Sequence, residues 1–226
     1  MDRFIVFRDF LKQHYNFEIR YKDKSFFMKF LSFILFFNKT FMTNYATTIG
    51  SIIYYPSEEY IKNNEDSSIS ILAHEIVHVK QKNTYGSLFF SILYLFPQVL
   101  AVFSLLSIFL SWWYLLFLLF LLPLPAPFRK DFEKSAYTMS LFIMWLKLNN
   151  INATQEYIDD FFDNFVSLKE SKFKTADYWF MWPFGVSFKN DITKIKSGVI
   201  SERLGIYAIV KTAYSNLYGV NNGNNK

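Results

Sequence analysis

Cysteine is absent from this 226-residue chain, which excludes disulfides and thiolate metal sites and leaves the redox compartment open. Histidine is nearly as scarce, with three in all. Charge is thin: only 19% of residues are Asp, Glu, Lys or Arg, and the net +5 is scattered without a basic block. Nucleic acid is therefore not an expected partner. Between Asn83 and Phe128 no side chain is charged at all. Apolar residues, by contrast, are plentiful. Hydrophobic residues make up 52% and aromatics 21%, with 28 phenylalanines. That is rich for a soluble protein and lean for a polytopic transporter, so a chain that is part soluble and part membrane-associated is expected.

The amino terminus, MDRFIVFRDFLKQ, mixes acids and bases from the start and does not read as a cleavable signal peptide. Its apolar positions Phe4, Ile5, Phe7, Phe10 and Leu11 follow helical spacing. Residues 25–37, SFFMKFLSFILFF, are too short to span a bilayer, which takes roughly 20 apolar residues. They read as a core helix or as a helix lying in a membrane interface. FMTNYATTIGSIIYYP, with its Gly50 break and Pro56 stop, reads as one bent strand or a hairpin. The polar stretch 57–68 offers N-caps for a helix over about 68–82. Further helices are expected over about 131–148, 154–165 and 202–217, with a loop at 149–152 and an aromatic loop at 178–185. No internal repeat is present.

The uncharged run of 46 residues would be about 69 Å long as one helix, at ~1.5 Å per residue. A hydrocarbon core is about 30 Å thick, so two passes joined by a turn are expected. Ser107, Ser111 and Trp112-Trp113-Tyr114 mark that turn, with Pro97-Gln98 kinking the first arm. The alternative is a helix pair buried in a core. Lys80 and Lys82 precede the run while Arg129 and Lys130 follow it, which puts both ends on the cytoplasmic side.

His74 and His78 stand four residues apart, with Glu75 directly after the first. On a helix this spacing stacks the two imidazoles on one face, where they can share an ion, and leaves Glu75 beside it to handle a water proton. The alternative is a pair of hydrogen-bonded core histidines. A catalytic zinc site takes three protein ligands and one water. His14 reads as an exposed residue of the first helix, so the third ligand is expected to be a carboxylate. Glu133 leads, with Asp131, Asp159 and Asp160 as alternatives. An even number of membrane passes returns Glu133 to the side of His74; a single pass would strand it. Zn2+ is inferred from the ligand types, and other divalent ions suit the same set.

An HExxH helix, an apolar hairpin and then Arg129-x-x-x-Glu133-x-x-Ala136 resemble the membrane-embedded gluzincin endopeptidases of the heat-shock and CAAX-processing type. The resemblance covers residues 71–137. It implies that His74, His78 and Glu133 bind zinc and that Glu75 is the base. The family's aspartate four residues after the ligand glutamate is replaced here by Tyr137. Thr48-Ile49-Gly50, Tyr55-Pro56, HExxHxxQ and Glu-x-x-Ala-Tyr are also similar to small metallopeptidase-like proteins encoded by phages. The implied fold is α+β and mostly α: a single zincin-like domain over 1–226, a small strand or hairpin before the metal helix, and an inserted membrane hairpin over 84–128.

The expected activity is zinc-dependent hydrolysis of peptide bonds at a membrane surface, with a peptide or protein substrate and the lipid bilayer as partners. Tyr137 or Tyr178 would donate to the oxyanion, Gln81 would orient a ligand or cap the helix, and the strand around 45–55 would pair with an extended substrate. Two rivals stand beside it. One is a non-enzymatic membrane or phage-type structural protein with a structural metal site. The other is a pore-forming or anchoring hairpin on a decayed catalytic domain.

Overall fold

The computed structural model describes residues 2–34, 38–122, 124–174, 185–200 and 205–218. Helix α1 (Asp2–His14) buries Phe4, Phe7 and Leu11, the stripe its apolar spacing predicts. Strand β1 (Glu18–Tyr21) follows, then helix α2 (Phe26–Ile34), strand β2 (Thr47–Ile49) and strand β3 (Ile52–Tyr55). β2 and β3 form an antiparallel hairpin with Thr48 opposite Ile53. Gly50 turns it at φ +63°, a conformation that suits a residue without Cβ. β1 adds to the far side of β3 in parallel, so the sheet order is β1-β3-β2 and β2 is an edge. β1 has no counterpart in the sequence reading, because four residues alternating only between exposed and half-buried carry little pattern.

A core position for α2 does not hold. Met28 is fully buried against Phe41 and Tyr54, but Phe26, Phe27, Phe30 and Phe33 face outward. The loop before β2 is pinned by Lys22, which is 0% exposed. Its Nζ donates to the carbonyls of Phe41 (2.6 Å) and Tyr45 (2.8 Å) and lies 4.2 Å and 4.7 Å from the centroids of their rings. Burial drives this amine down to about 7, against the opposing pull of Glu75.

Ser57 caps the short helix α3 (Glu58–Asn63) by accepting from the Tyr60 amide at 3.0 Å. Helix α4 (Glu65–Tyr85) begins three residues before the expected start and carries the histidines. Leu72, Ala73, Ile76, Val77 and Val79 bury most of its circumference. Gly86, at φ +82°, ends it and turns the chain into helix α5 (Ser87–Leu95). Helix α6 (Pro127–Asn150) packs along α4 and presents Glu133 to it. It runs through Asn149 and Asn150, which the sequence places in a loop. Helix α7 (Gln155–Lys174) starts beside Thr154 and extends beyond the expected end. Helix α8 (Lys189–Lys196) was not expected; helix α9 (Gly205–Leu217) packs on α1 and α6. The first residues of the expected last helix, 202–204, and most of the aromatic segment, 178–184 with Tyr178, lie outside the described residues. The fold is α+β and mostly α, as the sequence predicts.

The uncharged run forms a hairpin of a different make from two long helices. After α5 the chain bends by 94° into a 3-10 segment, Gln98–Ile108, turns at Phe109-Leu110, and returns as a second, Trp112–Leu121. The turn falls beside the serines and tryptophans that mark it in the sequence. Phe103 and Phe117 meet between the arms at 5.5 Å, and Gln98 closes the root by donating to the Leu124 carbonyl at 3.1 Å. At ~2.0 Å per residue the arms reach about 20–22 Å. Among the described residues no single helix is long and apolar enough to cross a membrane, while the bent pair Ser87–Leu95 and Gln98–Ile108 together have the length and composition.

Candidate metal centre

The four-residue step from His74 to His78 places both rings on the face of α4 that meets α6, edge to face at 5.2 Å. Glu133 enters from α6 between them. Its Oε2 lies 3.5 Å from His74 Nε2, and its Oε1 lies 3.4 Å from His78 Nε2. One ligand atom from each residue falls within 4.8 Å of the other two. These separations are long for hydrogen bonds. A tetrahedral ion about 2.0–2.2 Å from each ligand sets its neighbours about 3.3–3.6 Å apart, and each imidazole meets one oxygen of Glu133 at about that spacing. The donor set therefore fits a divalent ion, and among the described residues it is the cluster that does.

The outer ring nitrogens are also fixed, which selects the tautomer. Gln81 donates its amide to the Phe132 carbonyl at 3.2 Å, so its Oε1 is turned to His78 Nδ1 at 2.9 Å, and that nitrogen must carry the proton. Ser140 directs its hydroxyl toward the Ala136 carbonyl at 3.4 Å and offers its oxygen to His74 Nδ1 at 3.2 Å. Both Nε2 lone pairs are thereby left facing Glu133. Ala136, fully buried one turn from Glu133, lets α6 approach closely.

Burial raises the Glu133 carboxyl, but His78 and His74 beside it outweigh that and hold it at about 2. Burial pushes His74 down; the carboxylate of Glu133 beside it and the charge of Glu75 win, so it sits above the ordinary 6.5. A metal thus competes with a proton on His74 to a higher pH than it would at a free imidazole.

Glu75 is buried beside the ligands, and the Thr48 hydroxyl on edge strand β2 donates to its Oε2 at 2.6 Å. The Tyr94 hydroxyl on α5 donates to Glu133 Oε1. Tyr137 packs its ring against His74 at 4.8 Å and lies under the Lys169 ammonium, 4.6 Å from its centroid. The other carboxylates sit elsewhere. Asp131 is exposed and pairs with Lys130 at 3.0 Å, Asp159 pairs with Lys196, and Asp160 is exposed. His14 is exposed at the end of α1, against Phe10.

Ser140, Thr48 and Tyr94 were missed in the sequence. Ser140 could have been found, since it lies seven residues after Glu133 and so on the same face of α6. Thr48 enters the sequence reading only within Thr48-Ile49-Gly50, with no role at the site, and Tyr94 is one aromatic residue among many. No protein-family model, curated protein or solved structure matches the chain.

Proposed function

We propose that the chain is a zinc-dependent metallopeptidase of zincin-like build that works at a membrane surface. The observation that carries the reading is the convergence of two imidazole Nε2 atoms on Glu133, with each outer nitrogen already held, and with Glu75 alongside. A structural zinc site is closed by four protein ligands, whereas the described residues supply three here. This favours catalysis over the structural reading. Zinc in such a site supplies Lewis acidity toward a carbonyl oxygen and toward water.

In this reading Glu75 takes the proton of the attacking water and passes it to the leaving amine. Thr48 holds one oxygen of Glu75, which leaves the other free for that transfer. Among the described residues β2 is an edge of the sheet, and its Thr48 touches Glu75, so an extended peptide would add there as a further strand. Ser140 and Gln81 orient the two ligand imidazoles, and Tyr137 packs on that of His74.

The hairpin is read as the lipid-facing element. Its surface is apolar and uncharged, and Lys80, Lys82, Arg129 and Lys130 stand where its two ends return to the same side. Arms of about 20–22 Å fall short of a hydrocarbon core of about 30 Å, so a bent, re-entrant seat suits it better than two full passes. The basic flanks put the metal centre on the cytoplasmic face.

Glu75→Gln tests the enzyme reading. It should retain metal and fold while lowering cleavage of an unstructured protein substrate by about 10²–10⁴-fold. Cleavage at the wild-type rate would rule Glu75 out as the base.

A further inference from the structure

Tyr94 lies in the last turn of α5, inside the uncharged stretch, yet its hydroxyl reaches the metal cluster. It is fixed from two sides. Its ring stands edge-on to His78 at 5.9 Å and 84°, and Phe90 lies against it at 5.7 Å. Arg129, one turn before Glu133 on α6, donates Nε to the Tyr94 carbonyl at 2.9 Å and places its guanidinium 5.0 Å from the ring centroid. The hydroxyl is thus held against the same helix that carries the carboxylate.

The two oxygens of Glu133 are not equivalent. Oε2 makes its closest imidazole approach to His74 Nε2, whereas Oε1 makes its own to His78 Nε2 and also accepts from Tyr94. A carboxylate beside a divalent ion can bind through one oxygen or through both. A hydrogen bond from a phenol draws electron density from the oxygen that accepts it and opposes rotation of the carboxylate. Both effects disfavour the two-oxygen mode.

We propose that Tyr94 is a positioning residue of the metal centre, which holds Glu133 as a one-oxygen ligand through Oε2. The hairpin is then a working part of the site as well as an anchor, because its first helix sets the posture of the third ligand. This deepens the metal-centre reading and rests on it.

The test uses the full chain in detergent micelles loaded with Co²⁺, whose visible absorption reports coordination number. Tyr94→Phe removes one hydroxyl and keeps the ring packing. Tyr85→Phe, at the far end of α4, serves as control. Wild type and control should give the intense bands of a four-coordinate ion. Tyr94→Phe should give weaker bands, as Glu133 engages through both oxygens, and bind Co²⁺ about 10–100-fold less tightly. A spectrum unchanged by Tyr94→Phe overturns the proposal and leaves the centre standing. Failure of the wild type to bind Co²⁺ overturns the centre and the proposal together.

Discussion

In the candidate metal cluster His78 and Glu133 are each 6% exposed, whereas along the hairpin Phe109 is 81% exposed and Ile108 73%. Polar groups are inside in one region and apolar groups outside in the other, the reverse of what water rewards in both. A buried carboxylate without a partner costs several kcal/mol, so the α4–α6 face suits a cation. Exposed apolar patches above a few hundred Å² mark surfaces that meet another apolar phase, which lipid supplies in the proposed reading. Each region is shaped for a surrounding that the other would not tolerate. Tyr94 joins them, on the hairpin's first helix with its hydroxyl on Glu133.

The contrast can be broken first at the hairpin. Phe109→Asp places a charge at the turn, and a central Asp in a bilayer costs roughly 2.5–3.5 kcal/mol. Binding to phosphatidylcholine–phosphatidylglycerol vesicles, followed by flotation, should fall by up to about 100-fold with metal content unchanged. Flotation equal to wild type would remove lipid from the account.

A smaller effect is expected inside the centre. Thr48→Val deletes the hydroxyl on Glu75 and keeps the side-chain shape, so kcat/KM should drop about tenfold while the metal stays bound. No drop would leave Thr48 as a strand residue without a part in proton handling.

Lys22 sharpens the comparison, because it is a buried charge served by carbonyls and aromatic rings of its own chain. Its pKa lies at about 7 in the fold against 10.5 unfolded, so the unfolded chain binds more protons between those values. Stability therefore gains as pH rises through that window, by at most about 1.4 kcal/mol per unit, and the gain is complete above it. In urea melts, the difference between wild type and Lys22→Met should slope across pH 7 to 10.5 in the wild type's favour. A flat difference would mean that the cage holds Lys22 charged throughout.

Much of the site could be read from local periodicity. His74, Glu75 and His78 share one turn, and helix geometry alone puts the two rings together. Glu133 required a further inference, that an uncharged run must bring the chain back, and the structure does place it against both imidazoles. Thr48 and Tyr94 were not legible because they arrive from a different strand and a different helix, and neither placement is encoded within a few residues. The β2–β3 hairpin announced itself through Gly50 and the β-branched residues around it. β1 did not, since its pairing partner is more than thirty residues away. The hairpin's composition was plain, but its backbone was not: an apolar run specifies burial in something and leaves bend and pitch open. α2 misled for the same reason, because phenylalanines at 26, 27, 30 and 33 signal an apolar surface without saying what covers it.

Elemental analysis of the purified chain beside His74→Ala and Glu133→Ala bears most directly on the centre. One zinc per wild-type chain, and little or none in either variant at equal folded content, is the expected result. Equal metal in all three proteins would contradict it.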